Sequence, residues 1–131
     1  MTKICTSIEQ SKKLIELGLD INTADMFYNL GESQIPDIIH GSVDDFKCYL
    51  LAWSFTALFG LMPQIDEWTV PPGYTNDKHF EFNPKLVKVW DNSIIPDYKV
   101  VYEGMHETNM YDNPVDAAFE MICWLLENEE I

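Results

Sequence analysis

Residues 113–130 read NPVDAAFEMICWLLENEE, and no other stretch limits the fold so tightly. Asn113 offers a side-chain acceptor ahead of a helix, and Pro114 has its φ preset for the first helical position. Asp116 puts a negative charge near the positive end of the helix dipole. Val115, Ala118, Phe119, Ile122 and Leu126 then recur at the spacing of one buried helical face. Asp116, Glu120 and Glu127 gather on one flank. Ala117, Met121 and Trp124 form a second apolar stripe, with Trp124 roughly opposite the first. A helix resting on a single sheet needs only one such stripe. The second is therefore either covered by another part of the chain or an interface with a second copy or another protein, where tryptophan is favoured. Ala117, Met121 and Trp124 are the candidate partner-binding residues.

A helix of this kind needs something to pack on, and the chain has the apolar content to supply it. Of its 131 residues 47% are hydrophobic and 13% aromatic, which fits one domain spanning 1–131 and argues against disorder despite the charge. The net charge is −14, from 22 carboxylates against 8 basic residues, and all eight are lysine. Contacts to phosphates and guanines rest on basic groups, arginine above all, so the composition argues against direct nucleic-acid binding and against anionic membrane surfaces. From Asp97 onward nine acids face Lys99 alone. This acidic third is either a solvated surface or a face for a basic partner.

The three cysteines, Cys5, Cys48 and Cys123, are widely spaced and odd in number, which fits a reducing cytoplasm better than a disulfide framework. No basic start followed by an apolar core opens the chain, so no signal peptide is expected. The longest apolar run, CYLLAWSFTALFGLM at 48–62, is shorter than a membrane span of roughly 18 residues and contains Ser54 and Thr56.

Other segments divide by period. Thr6-Ser7-Ile8-Glu9 resembles a capping box, with a helix to about Leu17 that places Ile8, Leu14 and Ile15 on its core side and stops at Gly18. Residues 25–29 fit a short strand, 29–47 a long connection, and 52–62 a helix apolar almost all round. Val70-Pro-Pro-Gly-Tyr74 is a turn signal. Residues 79–82, 86–90 and 98–103 alternate as strands. If Phe80, Phe82, Val87, Val89, Tyr98, Val100 and Tyr102 face inward, then His79, Glu81, Lys88, Lys99 and Glu103 share the outer face. The order predicts an α+β fold, with a small antiparallel sheet of three to four strands and about three helices mainly on one face.

Chemistry is sparse. There is no glycine-rich nucleotide loop, no H-E-x-x-H and no paired-cysteine spacing, and no cofactor is implied. His79, Glu81 and His106 are the weak candidates for a metal site, as imidazole and carboxylate ligands. Cross-strand pairing and a polar loop explain them equally well. Cys48 with His40 has the residue types of a nucleophile and base, but Cys48 opens the most apolar run, where a buried inert thiol is ordinary.

Three blocks, ICTSIEQSKKLIELGLDINTADM, AWSFTALFGLMP and NPVDAAFEMICWLLEN, together resemble a family of small uncharacterised proteins from Bacteroides-like gut bacteria and their prophages and other mobile elements. The resemblance spans the order of segments across most of the chain and is tightest in the first and last blocks. It implies a bacterial or phage origin, a cytoplasmic setting and an accessory role, and it brings no catalytic or binding residues. The expectation is a non-catalytic, acidic interaction protein, dimeric or partner-binding. The rival is a small metal-binding protein or enzyme built on His79, Glu81 and His106.

Overall fold

The computed structural model describes residues 3–69, 78–90 and 94–131, with backbone alone at 67–69, 78 and 79. Within these residues the chain is α+β. Helix α1 spans Ile8–Glu16, α2 Phe55–Gly60 and α3 Pro114–Glu127. Strands β1 Met26–Tyr28, β2 Pro36–Ile38 and β3 Leu50–Ala52 make one antiparallel sheet in the order β2-β1-β3. Strands β4 Ile65–Thr69 and β5 Lys78–Phe82 form a ribbon, and β6 Pro84–Val89, β7 Asp97–Tyr102 and β8 His106–Glu107 form a third sheet. The strands are thus shared among three small sheets. Between β5 and β6 lies Asn83 alone, too short for the two-residue turn that a hairpin needs, so each strand pairs with its other neighbour in sequence. The proposed turn at Val70–Tyr74 lies outside the described residues.

The capping box on α1 is displaced by one residue from the sequence expectation. Ser7 is the N-cap and accepts from the Gln10 amide at 3.1 Å, while the Gln10 side chain accepts from the Ser7 amide at 3.0 Å. Thr6 turns inward because its backbone is already committed to Trp53, whose carbonyl accepts from the Thr6 amide at 2.8 Å. Its hydroxyl oxygen accepts from the Trp53 amide at 3.1 Å and shares a hydrogen bond with Ser11 at 2.8 Å. Thr6 and Ser11 are fully buried, whereas Ile15, expected inside, is exposed. Gly18 ends the helix at φ +94°, a conformation that disfavours other residues.

The run CYLLAWSFTALFGLM divides in two. Leu50–Ala52 pairs with β1, and α2 starts only at Phe55, capped by Ser54 accepting from the Ala57 amide at 3.2 Å. Ser54 also bonds both carboxylate oxygens of Asp25, through its amide at 2.8 Å and through its hydroxyl. The long connection at 29–47 contains β2 and a 3-10 turn, Val43–Phe46.

Helix α3 packs on both β7 and α2. Together with Leu14, Trp53, Leu58, Val100 and Tyr102, its residues Met121, Ile122 and Leu125 form the main core. The Trp53 indole N–H donates to Thr23 at 2.9 Å, and the Tyr102 hydroxyl donates to the Pro63 carbonyl at 2.8 Å. Burial, with the nearby Glu130 charge, pushes the Tyr102 phenol up to about 12.

The N-terminus of α3 holds a long-range cluster. Asp116 accepts from Lys3 at 2.6 Å and from the Gln10 amide group at 2.8 Å on one oxygen, and from Asn113 at 2.8 Å on the other. Burial alone would raise its pKa, but these donors outweigh it and hold the carboxyl below its ordinary value. A carboxylate so depressed stabilises the fold above its unfolded pKa, and the contribution is lost as pH falls through the folded value. Asp116→Asn should therefore cost about 1–2 kcal/mol near neutral pH. In denaturant titrations the gap to wild type should close as pH drops below about 4. Thr6→Val leaves the Trp53 amide and the Ser11 hydroxyl without their partner, and should lower stability by about 1–3 kcal/mol in the same titration.

Candidate functional site

The second stripe of α3 is taken up mainly by the fold. Ala117 and Met121 are fully buried, as are Val115, Ala118, Ile122 and Leu125, while Phe119 and Leu126 of the expected core stripe are only half-buried. The buried arc is wide because the helix packs on both β7 and α2 and so has two surfaces to meet. Ala117 and Met121 are thus core residues of this fold, with no surface exposed. Trp124 is half-buried, and the His106 ring stacks on it with centroids 4.4 Å apart and planes 5° from parallel. Sequence periodicity does not reveal this contact, because β8 has two residues and no period.

The metal candidates are divided between two sheets. His79 lies opposite Trp68 and Glu81 opposite Asp66 in the β4–β5 ribbon. The Glu81 carboxylate accepts from Gln64 at 3.4 Å. His106 lies opposite Tyr102 in the β6–β7–β8 sheet, with its ring on Trp124. Among the described residues no group of three or more His, Cys, Asp or Glu is placed to hold a metal ion.

The three thiols are free. Burial raises the Cys5 pKa and pushes Cys123 up to about 11, so neither is poised as a thiolate nucleophile. Cys48 is exposed, contrary to its expected place inside, because the run turns inward only at β3.

Among the described residues, two of the open grooves lie on sheets. The first, about 670 Å³, lies on the β6–β7–β8 sheet over Val87, Val101 and Met105. Val87 faces Lys99 across the ladder, and Leu86 faces Val100, so β6 has the opposite phase from the one its alternation implied. Lys85 pairs with Glu103 at 3.1 Å and Lys99 with Glu107 at 3.3 Å, so charges on this face compensate one another.

The second groove, about 660 Å³, lies over β1 and β2. Its floor is three rings: Phe27 sits 4.7 Å from Phe46 and 5.1 Å from Tyr49, and the latter two are 6.2 Å apart. Phe27 comes from β1, while Phe46 ends the 3-10 turn and Tyr49 precedes β3. Ile35, 77% exposed, stands at the side, and Glu32 and Asp37 lie on the rim. Asp37 is directly opposite Phe27 in the β1–β2 ladder and so shares its face. Its carboxylate accepts from the Ile38 amide at 2.8 Å. Among the described residues neither Glu32 nor Asp37 is paired with a lysine. Sequence reasoning missed this site because its members come from a segment without period.

The chain matches no protein-family model, and no curated protein or solved structure is significantly similar to it.

Membership of the core and of the surface separate energetically. Met121→Ala removes a fully buried side chain and should cost about 2–4 kcal/mol in denaturant titration. His106→Ala, which removes only one face of the stack on Trp124, should cost about 0.5–1.5 kcal/mol and shift the tryptophan emission to the red.

Proposed function

We propose that the protein is a non-catalytic, acidic interaction protein that binds a protein partner through the groove over β1 and β2. The observation that carries this reading is the three-ring floor beside exposed Ile35, with rim carboxylates that no lysine pairs with among the described residues. Solvent-facing aromatic and aliphatic surface of this kind is what partner sites are built from. The groove on the β6–β7–β8 sheet is the weaker site, because its lysines and carboxylates pair with one another. Trp124 is a smaller contact, since only part of it reaches the surface.

The partner is another protein. A net charge of −14 sets two copies against each other, and the absence of arginine disfavours nucleic acid. No helix among the described residues is long and apolar enough to cross a membrane. Three free thiols favour a reducing, cytoplasmic setting. An accessory role in a phage or mobile element follows from the resemblance of the three sequence blocks and belongs to the same proposal.

Ile35→Asp tests the reading. A side chain this exposed should change stability by no more than about 0.5 kcal/mol. Native mass spectrometry of protein isolated gently from its host should show wild type with a bound protein and the variant without it. A partner retained by Ile35→Asp and lost from Trp124→Ala would move the contact to α3. A wild-type protein recovered only as a free monomer would refute the proposal.

A further inference from the structure

Building on that interaction reading, we infer that the groove over β1 and β2 takes an arginine-bearing, extended segment of a basic protein. Charge complementarity is the first argument. Between Lys13 and Lys47 the chain has no lysine or arginine and seven carboxylates. Asp44 pairs with Lys47 at 2.7 Å, and Asp20 and Asp25 are bonded within the fold, which leaves Glu32 and Asp37 as the carboxylates at the groove. Of the two residues on the groove rim, Glu32 and Asp37, neither is neutralised by a lysine among the described residues, in contrast to the ion pairs that close the other groove.

Ring geometry supplies the second argument. With centroids 4.7–6.2 Å apart and planes tilted by 32–43°, the three rings touch one another and leave no space for an ammonium group between them. They form a closed floor rather than a cage. A planar guanidinium stacks on such a floor and extends its edge N–H groups to rim carboxylates, which a compact ammonium does less well. Ile35, beside the rings, offers apolar surface for the methylene stem.

Two further points fix the occupant. The chain contains no arginine, so a second copy cannot supply the guanidinium. Strand β2 has three residues and begins with Pro36, which has no N–H. The exposed edge therefore offers little main-chain pairing, and side chains of an extended segment must make the recognition.

The test uses two synthetic peptides, one alternating arginine with valine and the other lysine with valine, titrated calorimetrically into the intact protein at low and moderate salt. The arginine peptide should bind about tenfold more tightly than the lysine peptide, and both should weaken as salt rises. The double variant Glu32→Gln/Asp37→Asn should weaken the arginine peptide about tenfold, while Glu127→Gln/Glu129→Gln, at the far end of α3, should leave it unchanged. All four substitutions are at exposed positions, and melting curves check that the fold is kept. Equal loss from both double variants would mean diffuse attraction to a polyanion and would overturn the inference, as would equal binding of the two peptides or no binding of either. Failure of the arginine peptide, with Ile35→Asp still stripping the native partner, would overturn the arginine assignment alone. If Ile35→Asp also left the partner bound, the interaction reading at this groove would fall with it.

Discussion

Thr6 meets Trp53 through two hydrogen bonds, amide to carbonyl at 2.8 Å and amide to hydroxyl at 3.1 Å, and much of the structure is arranged around that contact. The Thr6 carbonyl accepts from the Tyr28 hydroxyl at 2.8 Å, which ties β1 to the same point, and the Thr6 hydroxyl reaches Ser11 inside α1. One buried residue thereby joins α1, β1 and the segment between β3 and α2. Trp53 extends the link through its indole to Thr23 and through its ring to the main core. Burying so many polar atoms is tolerable only because each is satisfied. Burial pushes the Tyr28 phenol far above its usual range, with Cys5 adding to the effect, so it stays protonated and able to donate. Position 6 thus serves tertiary structure, and capping of α1 falls to Ser7.

The same logic sorts the carboxylates. Asp116 is bound by Lys3, Gln10 and Asn113, and Glu120 accepts from the Asn109 amide at 3.0 Å and from the Tyr111 hydroxyl at 2.6 Å. That bond to Glu120 raises the Tyr111 phenol to about 12. Glu103 and Glu107 pair with lysines across the strands. Much of the acidic C-terminal third is therefore engaged in holding the loop at 108–112 and the sheet. An acidic composition says little about where charge is available until these internal partners are removed from it. What remains at the groove rim, Glu32 and Asp37, lies in the other half of the chain.

Legibility followed the strength of local signals. The cap, first turn and length of α3 were readable because Asn113, Pro114 and Asp116 act within one turn of the helix. The α+β class followed from the order of periodic segments. The split of CYLLAWSFTALFGLM into β3 and α2 was not readable, because Leu50, Leu51 and Ala52 suit a helix and are strand only through pairing with β1. The phase of β6 was misread for a related reason: Leu86 and Val87 are both apolar, and only the ladder decides which shares a face with Val100. Ala117 and Met121 looked surplus on a helical wheel because the wheel counts one neighbouring surface, and α3 has two.

The groove is a product of register. In the β2-β1-β3 sheet, Met26 and Tyr28 face Cys5, Ile8 and Ala52, while Phe27 shares the opposite face with Leu51 on one side and Asp37 on the other. Leu51 sinks into the main core and Asp37 emerges at the rim, so this one face runs from buried to solvated across three strands. Phe27 stands at the boundary, half-buried against the main core, with the rings of Phe46 and Tyr49 beside it. A slip of one residue between β1 and β2 would pair Phe27 with a neighbour of Asp37 and turn that carboxylate to the far face. The bonds from Ile39 to the Asp25 carbonyl at 3.0 Å and from Ser54 to the Asp25 carboxylate fix that register from the end nearest the Thr6 contact. The hydrogen bonds that hold the core thereby also place an apolar floor and a carboxylate rim side by side, and substitutions at the rim leave those bonds untouched.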